Sequence, residues 1–174
     1  MGPSVRLAPL VDLKALWGRC YLCGMARLYL TDSARRPLVV SVEQAVGRGC
    51  PNKRADVLLV QFMLYVVDQT PGKNTWNMTR RAELIKINGR FDDLTGSYIE
   101  LFQRQLQGKL HLAHDSRIDP LSGGVWYGAR TGVFMTMAAL NMTYMEALGD
   151  DAIAAMVKHP QFPSEIRTSI QVSL

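Results

Sequence analysis

The spacing of apolar residues predicts a protein made mainly of helices. The segment 55–69 is apolar on almost every side, with Gln61 as its main polar interruption, and a helix of this kind is normally buried on most of its faces. In a second segment, Ile99, Phe102 and Leu106 recur at helical spacing between charged and amide residues, which predicts an amphipathic helix. We expect these two helices to form the centre of the hydrophobic core.

The residues before this core predict one more helix and a short extended segment. Apolar residues recur at helical spacing from Leu10 to Leu30, although Gly18 and Gly24 within this stretch leave a strand-rich alternative open. The β-branched run at 38–40 is typical of extended chain. Residues 46–52 then predict an ordered loop that leads into the first core helix.

The residues after the core predict further helices. One long helix is expected from about Ala129 to Leu148, where Gly149 in the C′ position ends it. Its predicted apolar stripe includes Phe134 and Leu148. Two short helices are expected to follow, the first through Val157 and the second from Pro163.

An eight-residue pattern occurs twice, at 88–95 (NGRFDDLT) and at 115–122 (DSRIDPLS). Position by position, both copies read Asx, small, Arg, bulky apolar, Asp, variable, Leu and hydroxyl. Each copy has the chemistry of a tight turn that buries one apolar side chain and then supplies capping groups to a following helix. We therefore predict two structural connections between packed helices, here named the first joint and the second joint, with Phe91 and Ile118 as buried side chains.

The formal net charge of +5 comes from the first third of the chain. Residues 1–54 carry nine Lys or Arg against three Asp or Glu, whereas residues 55–120 carry eight of each. Such a basic segment could attract nucleic acid, an anionic polymer such as cell wall, or an acidic partner protein. The basic residues form pairs, as at 35–36 and 53–54, without the alternating aromatic residues that stack on bases. Nucleic acid is therefore not expected as a partner.

No membrane span and no cleavable signal peptide are expected. A span needs about 20 consecutive apolar residues, and Asp12, Lys14, Arg19 and Arg27 interrupt the N-terminal candidate. The same charges interrupt the apolar region that a signal peptide requires. We expect the chain to be cytoplasmic at synthesis, with delivery to the cell envelope or exterior, if it occurs, by a non-classical route.

Several motifs follow one another in a fixed order between residues 46 and 122. A loop V-G-R-G precedes D-V-L-L-V-Q at 56–61, and N-G-R-F and then F-Q follow. In this order they resemble the peptidoglycan-binding-like domain family, whose pattern is roughly a loop, D-V-x-x-V-Q-x-x-L, D-G-x-F-G-x-x-T, a helix carrying F-Q and a second D-G-like turn. The structural motif comprises Asp56, Gln61, Asn88, Gly89, Phe91, Thr95, Phe102, Gln103, Asp115 and Ile118.

The resemblance implies a compact three-helix core at 46–122, with a basic N-terminal extension at 1–45 and a helical C-terminal extension at 123–174 packed on the core. The amides of Gln61 and Gln103 and the Asx side chains of Asn88 and Asp115 also suit buried hydrogen bonds between loop and helix. The chemistry of these side chains and the resemblance therefore agree that the joints are structural.

The resemblance also implies non-catalytic binding to bacterial peptidoglycan. Loop side chains whose charge or amide groups suit peptide carboxylates and sugar hydroxyls are Arg48, Asn52, Arg90 and Arg117. An alternative for the two joint arginines is pairing with the aspartates at 92 and 119 beside them, which would make them structural.

The first joint departs from the family pattern at three positions. Asn88 replaces the usual Asp, Asp92 replaces a Gly, and Asp93 replaces a frequent Pro. Asn still forms an Asx turn, but the two aspartates add negative charge where a carboxylate-bearing wall fragment would approach. A competing hypothesis is therefore a protein-protein interaction or assembly component of a secretion or injection apparatus, a virion or an effector, with contacts through the flanking helices, including self-association.

The chain contains no catalytic motif, and we expect neither an enzyme nor a cofactor. It has no G-x-S-x-G and no phosphate-binding loop. His111 and His114 have a spacing compatible with a metal pair but lack a third-ligand pattern, so no metal is expected. Cys20 and Cys23 match a redox or half-zinc spacing, but two small apolar residues one helical turn apart are the favoured interpretation, and their role stays open.

Overall fold

The computed structural model describes residues 27–30, 38–70, 83–121 and 133–167. This part of the chain is mainly α-helical, as predicted, and none of its helices is both long and apolar enough to cross a membrane. The strands are β1 (Arg27–Leu30), β2 (Leu38–Ser41), β3 (Val46–Gly47) and β4 (Arg117–Ile118). The helices are α1 (Arg54–Gln69), α2 (Asp93–Leu106), α3 (Thr136–Leu148), α4 (Ala152–Ala155), a 3-10 turn (Met156–Lys158) and α5 (Ser164–Arg167).

Helix α1 is the centre of the core, as its sequence predicts. Every residue from 56 to 64 is buried, and α1 packs against α2, α3 and α5. The ring of Phe62 lies among aromatic rings of the C-terminal part, with its centroid 5.0 Å from that of Phe162 and 6.0 Å from that of Tyr144. Buried residues before 46 and after 122, such as Val40 and Met137, belong to the same hydrophobic cluster as α1.

The helix predicted from Leu10 to Leu30 is wrong at its C-terminal end. Arg27–Leu30 is strand β1, which pairs antiparallel with β2 so that Leu28 lies opposite Val40; residues 10–26 lie outside the described part. The extended segment predicted at 38–40 is confirmed as β2. The valines of β2 are completely buried, and buried backbone groups need hydrogen-bond partners, so pairing with β2 outweighs the helical spacing of β1.

Helix α3 begins later than predicted, at Thr136 rather than near Ala129. The backbone N–H of Phe134 donates to the carbonyl of His111 at 2.7 Å, and Phe134 forms a short bridge with Leu112. Because this amide is bonded to a distant segment, residues 133–135 stay extended and cannot join the helix. The part of the predicted helix at 129–132 lies outside the described residues.

The C-terminal end of α3 is where the sequence predicts it. Gly149 ends the helix with φ of 105°, a conformation that favours glycine. Leu148, which was expected in the apolar stripe, is instead 44% exposed. The short helices that follow return to α1, where the guanidinium of Arg54 donates two hydrogen bonds to Glu165 of α5, at 2.7 and 3.0 Å.

Strands β3 and β4 tie the loop before α1 to the second joint. Val46 lies opposite Ile118, and Gly47 lies opposite Arg117. A side chain at Gly47 would not fit, because a Cβ there would lie 2.6 Å from the carbonyl oxygen of Ser116. Between 46 and 121 the described residues contain two helices, α1 and α2, and the next long helix, α3, begins beyond the predicted boundary at 122.

Candidate functional site at the two joints

The first joint is built around the side chain of Gln61, which α1 holds completely buried. Its amide nitrogen donates to Oδ1 of Asn88 at 3.3 Å, to the carbonyl of Arg90 at 3.0 Å and to the hydroxyl of Thr95 at 3.0 Å. Its carbonyl oxygen accepts from the backbone amides of Asn88 and Gly89 at 3.0 and 2.8 Å. One glutamine side chain therefore supplies hydrogen-bond partners both to the turn and to the start of α2.

The second joint repeats this arrangement around Gln103, which is also completely buried. Its amide nitrogen donates to Oδ1 of Asp115 at 3.0 Å, to the carbonyl of Arg117 at 2.9 Å and to the hydroxyl of Thr136 at 3.0 Å. Its carbonyl oxygen accepts from the backbone amide of Ser116 at 2.9 Å. These are the hydrogen bonds that the glutamine and Asx side chains suggest from the sequence.

The hydroxyl group of the second joint comes from outside the eight-residue repeat. The repeat aligns Thr95 with Ser122, which lies outside the described residues. In the structure, the hydroxyl that meets Gln103 is that of Thr136, the first residue of α3. The turn and the helix that it supports are therefore adjacent in the first joint but separated by residues 119–135 in the second.

Both turns have the backbone geometry that an Asx residue favours. Oδ1 of Asn88 and Oδ1 of Asp115 each accept a hydrogen bond from the backbone amide two residues further along, at 2.8 and 3.0 Å. The next residues, Gly89 and Ser116, have positive φ angles of 71° and 57°. Asn88 therefore forms the same Asx turn that Asp115 forms in the second joint, because an amide oxygen accepts the same hydrogen bond as a carboxylate oxygen.

The two joints differ at their apolar side chains. Ile118 is completely buried, as predicted. Phe91 is only partly buried, which corrects the expectation that it fills the core. The tip of its ring lies over Gly96 in the second turn of α2, since a Cβ built on that glycine would be 3.2 Å from Cζ of Phe91. Phe91 therefore packs against the edge of the core and keeps part of its surface in contact with solvent.

A tight turn at 47–50 lies between the two joints and is held by Asn52. The side chain of Asn52 accepts from the backbone amide of Gly47 at 2.9 Å and donates to the carbonyls of Gly47 and Cys50 at 2.9 and 3.0 Å. The backbone amide of Cys50 also donates to the carbonyl of Gly47 at 3.2 Å. These hydrogen bonds give Asn52 a structural role in this turn.

The turn brings two of the candidate arginines to opposite sides of itself. The Nε atom of Arg48 is 4.0 Å from a Cβ built on Gly96, the glycine that the ring tip of Phe91 also approaches. On the other side, the backbone of Gly47 pairs with that of Arg117 across β3 and β4. We name the surface formed by residues 47–50 and the two joints the joint face.

The arginines of the joint face differ in their partners. Arg117 forms an exposed ion pair of 3.2 Å with Asp119, as one sequence interpretation suggested. The negative charge of Asp119 makes the largest contribution to raising the pKa of Arg117, and nearby Cys50 makes the next largest. Arg48 and Arg90 are exposed, and among the described residues no acidic side chain lies within ion-pair distance of either. The expected pairing of Arg90 with Asp92 is therefore not formed.

Asp92 serves instead as the N-cap of α2. Its Oδ1 accepts from the backbone amide of Thr95 at 2.7 Å and from its hydroxyl at 2.6 Å. Burial alone would raise the pKa of this carboxyl, but the hydrogen bonds from Thr95 hold it below its usual value. Part of the negative charge that the sequence places on the joint face is therefore directed toward the helix amides.

Asp56 is a buried carboxylate that anchors the chain before the joint face. Its two oxygens accept from the backbone amides of Glu43 and Gln44, at 2.7 and 3.0 Å. Burial raises the pKa of Asp56, although these backbone hydrogen bonds oppose the shift. Its position in the first turn of α1 also places the carboxylate near the helix amides, where negative charge is favoured.

A small cleft of about 200 Å³ lies beside the second joint. It is lined by charged groups of the joint and by an apolar wall from the segment before α3. His111 and His114 are both exposed, and no group of three metal-ligating side chains occurs within the described part of the chain. Cys20 and Cys23 lie outside the described residues. The joint face thus offers hydrogen-bonding and ionic groups on a rigid support.

Sequence reasoning missed three contributors to this site. Gly96, Thr136 and the proximity of Cys50 to Arg117 were not singled out, although a glycine near the start of an amphipathic helix is a detectable signal. Comparisons of the chain with models of protein families, with curated proteins and with solved structures found no match.

Proposed function

We propose that this chain is a non-catalytic module that binds bacterial cell-wall polymer through its joint face. The observation that carries the proposal is the convergence of the turn at 47–50 with both joints: Arg48 of this turn reaches Gly96, and Gly47 pairs with Arg117. Arginine suits this task because its planar guanidinium can hold a peptide carboxylate in bidentate fashion or donate to several hydroxyls.

The three-helix core of the peptidoglycan-binding-like type forms part of this proposal. We take α1, α2 and α3 as its helices, because Gln61 links α1 to α2 and Gln103 links α2 to α3 through equivalent hydrogen bonds. On this assignment the core extends past residue 122 to the end of α3. The separation of the second turn from α3 would then be a departure of this chain from the family pattern.

Co-sedimentation with purified cell-wall sacculi tests the proposal. We expect the full chain to pellet with sacculi, and the double variant Arg48→Ala/Arg90→Ala to bind at least several-fold more weakly, because it removes two exposed cations without a described acidic partner. Arg104→Ala is the matched control, since Arg104 is an exposed arginine of α2 that pairs with Glu100 within the same helix. A chain that stays in the supernatant would refute the proposal.

The alternative is a protein-protein interaction or assembly component that uses the bundle as a scaffold. It is favoured by Leu148, which is 44% exposed beside a cleft of about 280 Å³ between α3 and α4. A partner side chain in this cleft would bury the apolar surface of Leu148, and such burial favours association. Light scattering that shows a defined oligomer, reduced to monomer by Leu148→Lys while sacculus binding is absent, would support this alternative over wall binding.

A further inference from the structure

The partly exposed ring of Phe91 is unlike its counterpart in the second joint. Ile118 occupies the equivalent position and is completely buried, whereas Phe91 lies with its ring tip on Gly96. The atoms that a Cβ on Gly96 would approach within 4 Å belong to the side chains of Phe91 and Arg48, with no backbone atom among the nearest three. Close backbone packing therefore does not explain why this helical position is glycine.

Glycine at 96 instead allows an aromatic ring and a guanidinium to approach the same position of α2. Glycine is disfavoured inside helices because it loses more backbone freedom than other residues. Its effect here is to let Phe91 and Arg48 reach the helix directly, with Arg48 itself in the turn that Asn52 holds. The result is a surface on which a partly buried ring and an exposed cation meet at one helical position.

The chemistry of this surface matches a sugar ring. The C–H groups of a pyranose carry partial positive charge and pack against the negative face of an aromatic ring. The neighbouring guanidinium of Arg48 can donate to ring hydroxyls or pair with a carboxylate attached to the sugar. The exposed carboxylate of Asp93 nearby in the first joint is an acceptor for further hydroxyls.

The charge balance of the joint face argues against a polyanionic strand. Arg48, Arg90 and Arg117 alternate on this surface with carboxylates from both joints, at 92, 93, 115 and 119. A nucleic acid strand carries one phosphate per nucleotide and requires a groove of mainly positive charge. A sugar with many hydroxyls and a single carboxylate meets both donors and acceptors on such a mixed surface.

We propose that Phe91 and Arg48, which meet at Gly96, form a stacking subsite for a pyranose that bears one carboxylate. This inference rests on the proposed function and narrows it, because it assigns recognition to the glycan strand rather than to the peptide of the wall polymer. Phe91 supplies the apolar contact, and Arg48 distinguishes the carboxylated sugar from its neutral analogue.

Isothermal titration of the full chain with peptide-free oligosaccharides tests the subsite. The probes are the disaccharide of N-acetylglucosamine and N-acetylmuramic acid, which carries a carboxylate, and the disaccharide of N-acetylglucosamine alone, which does not. We expect the carboxylated disaccharide to bind more tightly. Phe91→Leu should weaken binding of both by at least fivefold, and Arg48→Gln should abolish the preference between them.

Tyr65→Leu is the matched control, because Tyr65 is a partly buried aromatic residue of α1 outside the joint face, and it should bind as the unaltered chain does. Arg48→Gln alters an exposed side chain, so it keeps the test decisive if Phe91→Leu fails to fold. If the chain binds sacculi but neither disaccharide, the subsite is refuted and the proposed function stands. The same conclusion follows if Phe91→Leu binds sacculi with full affinity and the unaltered chain shows no preference between the two disaccharides. Failure of the unaltered chain to bind sacculi would refute the function itself. Binding of a single-stranded oligonucleotide that depends on Phe91 would also overturn the subsite.

Discussion

Gln103 donates a hydrogen bond of 3.0 Å to the hydroxyl of Thr136, which lies 33 residues further along the chain. This contact fixes the start of α3 against α2 and completes the second joint. Gln103 and Thr136 are both buried, so solvent cannot easily replace this hydrogen bond if the amide of Gln103 is removed. The hydrogen bonds of this one side chain are therefore a sensitive point for the stability of the whole joint.

Replacement of Gln103 by leucine should destabilise the fold strongly. Gln103→Leu leaves the backbone amide of Ser116 and the carbonyl of Arg117 without their side-chain partner, and each unsatisfied buried group costs about 1–3 kcal/mol. We expect a loss of about 3 kcal/mol or more in the free energy of unfolding, measured by urea denaturation.

Gln105→Leu provides a control on the same helix. Its buried Oε1 has no hydrogen-bond partner among the described residues, so its replacement should be neutral or slightly stabilising. Equal losses for the two variants would contradict the role assigned to Gln103.

The N-cap of α2 should give the protein a pH-dependent stability term. A carboxyl whose folded pKa lies below its unfolded value contributes stability above the unfolded pKa and loses it as pH falls through the folded pKa. The pKa of Asp92 is lowered from 3.8, so its contribution is complete at neutral pH and disappears in acid. Asp92→Asn keeps an acceptor oxygen for the cap but cannot titrate.

We expect the stability difference between the unaltered chain and Asp92→Asn to shrink from about pH 6 to about pH 3, as measured by chemical denaturation at each pH. Asp92→Ala removes the cap altogether and should cost about 1 kcal/mol at neutral pH. A difference between the unaltered chain and Asp92→Asn that does not change with pH would show that the charge of Asp92 is not engaged with the helix.

The side chain of Asn141 should stabilise the edge of strand β2. Its amide accepts from the backbone N–H of Val40 at 2.8 Å and donates to the carbonyl of Val40 at 2.7 Å, as a neighbouring strand would. Asn141→Leu keeps the branched shape of the side chain but leaves both groups buried without this partner, so we expect a loss of about 3 kcal/mol and faster hydrogen exchange at the amide of Val40.

Thr143→Val is the matched comparison on the same helix. The hydroxyl of Thr143 donates to the carbonyl of Ala139 at 2.9 Å, and that carbonyl keeps its helical hydrogen bond in the variant. Its cost should stay below about 1 kcal/mol. If the amide of Val40 exchanged no faster in Asn141→Leu than in Thr143→Val, the strand-like role of Asn141 would be wrong.

A side chain at Gly47 should separate the turn at 47–50 from the second joint. In Gly47→Ala the new Cβ would lie 2.6 Å from the carbonyl oxygen of Ser116 and 2.9 Å from Cα of Arg117, and backbone atoms cannot yield as a flexible side chain can. We expect a loss of about 2 kcal/mol or more in stability, together with weaker sacculus binding because the joint face is displaced.

Gly108→Ala tests whether this effect is specific to the β3–β4 contact. A Cβ at Gly108 meets no atom within 4 Å, so the variant should be as stable as the unaltered chain or slightly more stable. Thermal unfolding and sacculus co-sedimentation of both variants give the comparison. Similar behaviour of the two glycine variants would argue against close approach of the strands.

The elements that follow from local chemistry could be predicted from the sequence. Helix α1 is evident from its apolar residues, α2 from its amphipathic spacing, and the end of α3 from Gly149. The Asx turns of both joints are likewise local, because an Asn or Asp oxygen reaches the amide two residues ahead without help from the rest of the fold. The glutamines could be anticipated as buried donors because a polar residue inside an apolar helix requires partners.

The composition of the candidate site depended on contacts between distant residues. Asn52 was considered as a ligand residue, and tertiary packing gives its side chain hydrogen bonds within the turn at 47–50. One interpretation paired Arg90 with Asp92, but that carboxylate caps α2. Phe91 was expected in the core, but Gly96 provides a place for it on the helix surface. In each case several local partners were chemically possible, and steric space in the folded chain selected one of them.

The sequence by itself determined the mainly helical character of this protein and the turn chemistry of its joints, because both depend on residues within a few positions of one another. Only the tertiary structure decided that β1 is a strand, that α3 begins at Thr136, and that Arg48 and Phe91 both approach Gly96. These outcomes depend on contacts between backbone groups and surfaces that are tens of residues apart in the sequence. Burial and competition for hydrogen-bond partners determine which of these contacts form.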